Sequence, residues 1–144
     1  YRTVILAVDP STASADAARF GGALTPEVEH ILVHACIVVG ETLMRIYGAT
    51  EEQIDQLRRT STAAARAGIA RLSETLARPP AAVIITEGHP PTRLVELCTA
   101  QGADLVVTGT GARSPASYAL LGSVAQHVMR QATADVLVVP VREG

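Results

Sequence analysis

The sequence predicts an open, doubly wound α/β domain, with five parallel strands in one sheet and helices on both faces. Three observations predict it. Five short apolar runs recur along the 144 residues, each the length of a strand covered on both faces. The stretches between them carry apolar residues at helical spacing, so the chain alternates βαβαβαβαβ. No linker or internal repeat interrupts the alternation, and 15.0 kDa leaves room for a single domain, residues 1–144, around one sheet.

Residues 3–8, TVILAV, form the first strand, which ends at Asp9-Pro10 and delivers a carboxylate at its C-terminal end. Ser11, Thr12 or Ser14 can cap the helix that follows, whose apolar positions Ala17, Phe20, Gly21 and Leu24 keep i, i+3, i+4, i+7 spacing. Gly21-Gly22 inside it costs up to about 1 kcal/mol per glycine against alanine, which points to close packing on the sheet. Thr25-Pro26 ends this helix. Residues 31–37, ILVHACI, are the second strand. His34 within it reads as a satisfied core or edge histidine, because no second ligand stands at metal spacing.

Residues 38–49 are expected to be a loose connection. Thr50 and Gln53 then form a capping box for a long amphipathic helix, with Ile54, Leu57, Ala64, Gly68, Leu72 and Leu76 on one stripe and Arg58, Arg59, Arg66 and Arg71 on the solvated face. Arg78-Pro79-Pro80 breaks it, and AAVIIT at 81–86 is the third strand. Gly88-His89-Pro90-Pro91 makes a turn that places Pro91 or Thr92 in the first turn of a helix carrying Leu94, Val95, Leu97 and Cys98. Gly102 stops that helix. Leu105 to Thr108 form the fourth strand. From Ser123 a last helix turns Val124, Val128 and Ala132 inward, and DVLVVPV at 135–141 is the fifth strand, ended by Pro140.

Composition narrows the function. Hydrophobic residues at 48% with 18% charged residues describe a globular protein, and no apolar run reaches the length of a membrane span. A net charge of -2 without a basic, aromatic-interleaved run argues against nucleic acid. All twelve basic residues are arginine, which excludes a Walker A lysine and Schiff-base chemistry on a side chain. Cys36 and Cys98 fit buried free thiols better than a disulfide, and with them a cytoplasmic location. Tyr1 in place of methionine indicates a trimmed start or one piece of a longer chain.

The stretch from Asp104 to Ser123, DLVVTGTGARSPASYALLGS, departs from a generic α/β connection. Glycines after a strand let backbone N–H groups approach an anion, and a following helix N-terminus adds unpaired donors and a favourable dipole. The plain alternative is a connecting loop whose glycines only make turns. In open parallel sheets ligands bind beyond the carboxyl ends of the strands, where strand order reverses. The flavodoxin-like order 3-2-1-4-5 brings Asp9-Pro10 and Thr108-Gly109 to one such crevice. A dinucleotide fingerprint is a weaker reading of GTGARS, because Ser114 replaces the last glycine and Pro115 interrupts the helix start.

On these residues the chain resembles the universal stress protein family. Nucleotide-binding members carry a glycine, two residues, a second glycine, nine residues and then Gly-Ser or Gly-Thr after the fourth strand; Gly109 and Gly122-Ser123 stand at that separation. VDPS at 8–11, LVHA at 32–35, GADLVVTG at 102–109 and ADVLVVP at 134–140 resemble further family segments, so the likeness covers essentially the whole chain. One position departs: the second family glycine falls at Ala112, with Gly111 one residue early. A methyl group there either blocks a close backbone approach, or the loop shifts on Gly111 and still cradles phosphates.

The resemblance implies the adenine nucleotide alpha hydrolase-like variant of this fold and an ATP or AMP ligand, with Mg2+ riding on the phosphates if it is present. Carried over, it puts Asp9 and Pro10 near adenine or ribose and Ala35 and Thr108 beside the base. Gly109, Gly111 and Ala112 lie along the phosphates, Arg113 meets the terminal phosphate, and Gly122, Ser123 and Val124 close the far side, all three offering their backbone N–H groups and Ser123 its hydroxyl as well. Asp9 is the lone carboxylate assigned to the crevice, without a nucleophile, base or metal cluster, so the expected role is a stress-response or signalling module and not an efficient enzyme. The alternative is an interaction protein of the same fold that binds no nucleotide. In either case the edge strand Val136, Leu137, Val138 and Val139 is expected to pair with a second copy as a homodimer, or with a sister domain.

Overall fold

The computed structural model describes residues 1–9, 12–36, 40–110 and 122–140, with only the backbone of Thr12 and Ala13. Strands β1 (Thr3–Ala7), β2 (Glu29–Cys36), β3 (Ala82–Glu87), β4 (Leu105–Gly109) and β5 (Asp135–Val139) form one parallel sheet in the order β3-β2-β1-β4-β5. The helices are α1 (Thr12–Leu24), α2 (Glu41–Ile46), α3 (Glu51–Glu74), α4 (Pro90–Gln101) and α5 (Ser123–Gln131). The predicted sheet and its order are thus observed. Each strand matches its apolar run to within two residues over the described part; Ile37, Val38 and Val141 lie outside it.

Alternate residues of each strand feed two cores. Val4, Leu6, Leu32 and Val107 pack under α1 and α3, while Ile5, Val33 and Val106 pack under α4 and α5. Fully burying such aliphatic side chains gives about 1.5–3 kcal/mol each, which is why the period-two alternation of the central strands fixes the sheet. The amino end of the sheet is pinned by Asp104, whose carboxylate accepts the backbone N–H groups of Arg2 at 2.7 Å and Thr3 at 3.1 Å. Those two donors hold its carboxyl below the ordinary range.

Two helical stripes are rotated from the sequence expectation. On α1 the inward residues are Ser14, Ala17, Ala18 and Gly21, while Phe20 is 37% and Leu24 57% exposed. The cause is close approach: a Cβ built on Gly21 would stand 2.5 Å from Cγ1 of Val107, so nothing larger fits that turn. At Gly22 the same Cβ meets nothing within 4 Å, so only the first glycine of the pair is required by packing. On α3 the buried residues are Ile54, Ala65, Ile69 and Leu72; Ala64 is exposed and Leu57 and Gly68 are half-buried. The helix turns by one residue to bury the bulkier Ile69, completely enclosed, in place of Gly68.

Local signals are realised closely. Thr50 Oγ1 accepts the Gln53 N–H at 3.1 Å and Gln53 Oε1 accepts the Thr50 N–H at 2.9 Å, the reciprocal capping box. Gly102 ends α4 in the left-handed region at φ 62°. The connection expected to be loose holds the short helix α2, opened by Gly40 at φ 91° and buried at no residue. His34 is the satisfied core histidine: its Nδ1 donates to the carbonyl of Val8 at 2.9 Å, and because a carbonyl only accepts, the proton sits on Nδ1. Cys36 and Cys98 are buried free thiols, and burial pushes Cys98 up to about 11. No helix among the described residues is long and apolar enough to cross a membrane.

Candidate functional site

The topology itself makes a crevice. From β1 the chain passes to α1 on one face, and from β4 it passes to α5 on the other, so β1 and β4 part company at their carboxyl ends. The register aligns Leu6 with Val107 on one side of β1 and Ala7 with Val33 on the other. Continuing it puts Asp9, Ala35 and the start of the loop after β4 on one rim. The predicted residues of three separate strands therefore do converge.

On β1's side Asp9 is exposed, and its backbone N–H donates to Ser14 Oγ at 2.8 Å. Of the three candidate caps, Ser14 is therefore the one seen to tie the strand end to α1; Ser11 and the Thr12 side chain lie outside the described residues. Ala35 is half-buried on β2. Thr108 on β4 is buried, 6% exposed, and donates its hydroxyl to the Gly109 carbonyl at 3.2 Å.

Among the described residues nothing requires position 109 to be glycine. Its φ lies outside the left-handed region, and an added Cβ would meet Ala17 Cβ at 3.8 Å and the Val139 carbonyl at 3.9 Å, both ordinary contacts. Gly21 is the contrasting case, where the chain's own packing demands the missing side chain.

The far side is built by a residue that the sequence reading passed over. Thr110, 8% exposed, donates its N–H to the Val139 carbonyl at 3.2 Å and accepts the Gly122 N–H on its own carbonyl at 2.6 Å. That second bond closes the loop, bringing Gly122 and the start of α5 against the end of β4. It also consumes one expected donor, since the Gly122 N–H points at Thr110. Gly122 is the N-cap of α5, with φ -64° and ψ 161°, and Ser123 is the first helical residue, exposed and making no side-chain cap. Gln126 N–H donates to the Gly122 carbonyl at 3.0 Å, closing the first turn. Helix geometry then leaves the N–H groups of Ser123, Val124 and Ala125 without intrahelical acceptors, at the positive end of the dipole. No acidic side chain stands in that first turn to compete for them. Val124 and Ala132, both expected inward, are half-buried against the core, and Ala125 and Val128 are the buried pair.

Pro10, Gly111, Ala112, Arg113 and Pro115 lie outside the described residues. His89 is exposed and sits as N-cap of α4 with Nδ1 3.1 Å from Thr92 Oγ1, engaged with its own helix start. Among the described residues no group of three His, Cys, Asp or Glu side chains could hold a metal ion. Two open depressions lie elsewhere, one of about 430 Å³ beside Arg58, Arg59 and Arg66 of α3 and one of about 610 Å³ at the amino ends of β1, β4 and β5.

Comparison with known proteins agrees with this architecture. The sequence profile of the universal stress protein family matches residues 1–140. Among solved structures, the hypothetical protein MJ0577 aligns with a TM-score of 0.80 at 21% identity, covering 100% of this chain and 99% of that one. A universal stress protein solved in complex with cAMP aligns at 27% identity with a TM-score of 0.62, covering 97% of each chain. A family protein of Arabidopsis thaliana, At3g01520, solved with AMP bound, aligns at 14% identity with a TM-score of 0.64, covering 99% of this chain and 93% of that one. No curated protein matches the chain in sequence.

Proposed function

The chain belongs to the universal stress protein family, and from that premise we propose that it is an adenine-nucleotide-binding module of stress response or signalling, taking ATP or AMP in the crevice between β1 and β4. The observation that carries this reading is the Gly122 to Thr110 bond, which sets the start of α5 against the end of β4, beside a glycine on which none of the described residues packs closely. Such a helix start is suited to an anion through its unpaired N–H groups and its dipole. Two relatives were solved with adenine nucleotides, cAMP and AMP, and one of them is 27% identical to this chain.

In this reading Asp9 and Pro10 hold adenine or ribose, and Ala35 and Thr108 flank the base. Gly109, Gly111 and Ala112 run along the phosphates, Arg113 meets the terminal one, and Ser123 and Val124 offer their N–H groups. A divalent cation would ride on the phosphates with water. Asp9 is the one carboxylate in this assignment, and a single carboxylate without an oriented nucleophile does not make an efficient hydrolase.

Titration with ATP, ADP, AMP and NAD under thermal unfolding tests the reading. A hundredfold excess of nucleotide over Kd adds about 2.7 kcal/mol, which raises Tm by roughly 5–10 °C in a chain of this size. A shift with adenine nucleotides is expected; a shift with NAD alone would return the dinucleotide reading, and none at all would leave a binding role without nucleotide.

The interaction reading has its own support. β5 is an edge strand whose residues Val136, Leu137 and Val138 are only half-buried and Val139 buried, so among the described residues no further strand pairs with this apolar edge. An unprotected apolar edge is a template for pairing with another chain. We place a second copy there, and sedimentation at micromolar concentration is expected to give twice the 15.0 kDa chain mass; a monomer would refute it.

A further inference from the structure

Phe20 is the one phenylalanine of the chain, yet α1 turns it outward together with Leu24. The helix period gives the direction. Counted from the inward Gly21 at about 100° per residue, Phe20 and Leu24 fall on one side of α1, and Ala15, Ala18 and Arg19 on the other. Arg19 donates to Thr75, at the end of α3, at 3.0 Å. The side with Ala15, Ala18 and Arg19 therefore faces α3, and the side with Phe20 and Leu24 faces β5, the other way along the sheet.

α5 repeats this on the opposite face. Both helices return from the carboxyl end of one strand to the amino end of the next, so they run in the same direction. Two right-handed helices that run the same way on opposite faces offer opposite sides of their wheels to one sheet edge. On α5 that side holds Met129, 52% exposed, beside the buried Ala125 and Val128. The β5 edge is thus flanked by exposed apolar side chains on both faces.

The backbone of β5 specifies the occupant. Asp135 donates its N–H to the Asp104 carbonyl at 3.0 Å, and the Val139 carbonyl accepts from Thr110 at 3.2 Å. Alternation along the ladder then turns residues 135, 137 and 139 toward β4, and the N–H and C=O groups of Val136 and Val138 away from it. Leu137 stands midway between those two. An antiparallel copy matches Val136 to Val138 and Leu137 to Leu137 about a twofold axis, so the edge is its own complement. It is also small: five residues span about 17 Å and a sheet is about 10 Å thick, on the order of 200 Å² against the roughly 800 Å² per partner of a stable interface. The flanking helices must supply the rest.

Both flanks lie level with that axis. Gly21 abuts Val107, which is in register with Leu137. Met129 stands seven residues beyond Gly122, whose N–H reaches Thr110. Seven helical residues advance about 10 Å, the same distance as the three strand residues from Thr110 back to Val107. Since α1 lies over β4, it and its symmetry mate stand three strand spacings apart, about 14 Å, wider than the roughly 8–10 Å of directly packed helices. Phe20 and Leu24 are of the size to fill that gap.

We propose that Phe20 and Leu24 of α1 and Met129 of α5 are the apolar flanks of a twofold interface in which the β5 edges of two copies pair antiparallel about Leu137. This rests on the second-copy reading of β5 and adds the surface that stabilises it. Sedimentation equilibrium of the full chain over a range of concentrations tests the two separately. The wild type is expected to be a dimer. Phe20→Gln with Leu24→Gln should raise its dissociation constant at least about tenfold, and Met129→Gln about threefold, with unchanged circular dichroism. Val138→Pro removes an outward N–H and no bond to β4, and should weaken the dimer likewise. Leu43→Gln with Ile46→Gln, a pair at least as exposed but on α2, should leave it unaltered.

A dimer indifferent to the Phe20 and Leu24 substitutions would overturn the flanks, and one indifferent to Val138→Pro would overturn the strand pairing. Equal weakening by the α2 pair would move the interface off this edge. A monomeric wild type would overturn the second-copy reading and this inference with it.

Discussion

Gly21→Val is expected to lower the unfolding free energy by about 3 kcal/mol, the overpacking cost of bulk forced into a filled core. The first added carbon alone would sit 2.5 Å and 2.7 Å from the two methyl groups of Val107 and 3.0 Å from its Cβ. Val107 cannot turn aside easily: it is 1% exposed, β-branched and in register with Leu6 on β1 and Leu137 on β5. Urea unfolding of Gly21→Val, Val107→Ala and the double variant measures the effect as a cycle. The double variant should recover 1 kcal/mol or more of the sum of the singles, on the order of couplings between touching residues. Independent, additive losses would mean that the helix simply lifts off the strand.

Gly109→Ala is expected to do the opposite, leaving stability nearly untouched while weakening ATP by at least about tenfold, or 1.4 kcal/mol. Among the described residues the added methyl finds only ordinary contacts, at 3.8 Å and 3.9 Å, and its backbone angle is open to any residue. Its effect should therefore fall on whatever approaches from the crevice. Calorimetry with ATP and the thermal midpoint of the free protein read the two halves separately. Unchanged affinity would show that the phosphates pass elsewhere, and a midpoint drop as large as that of Gly21→Val would show that the glycine serves packing.

These two glycines also mark what the sequence can and cannot convey. Both stand out in the chain, yet nothing in the letters separates Gly21, which Val107 requires, from Gly22 beside it, which faces open space. The sheet was legible because its central strands bury both faces and all five carry apolar runs, a signal independent of neighbours. The capping box at Thr50 and Gln53 was legible because it is made within four residues. Helix rotation was not: Ile69 and Gly68 compete for one place on the stripe, and the contact with the sheet decides between them. α2 was not foreseen because it is only six residues long and buries none of them fully, so no apolar stripe marks it.

The crevice divides in the same way. Asp9, Thr108, Gly109 and Gly122 announced themselves by type and by position at strand ends. Thr110 did not, although it is the joint of the loop, because it works through its main-chain N–H and carbonyl and any residue but proline carries both. Gly122 stands at the start of α5, and only the bond geometry reveals that its N–H is already spent on Thr110.

The strand order has a consequence for how the chain is made. β1 lies at the centre of the sheet, yet its neighbours come from very different distances: β2 begins at Glu29, whereas β4 begins at Leu105 and is further tied back through Asp104 to Arg2. During synthesis from the amino end, β1, β2 and β3 can zip together as soon as residue 87 has emerged, with one flank of β1 bare. That flank stays uncovered until β4 follows, and only then do Gly109 and Thr110 exist beside Asp9. Closing so long a loop is the slow step that contact order predicts. The growing chain therefore carries an exposed apolar strand edge from the emergence of β3 until that of β4, a state for a chaperone to shield.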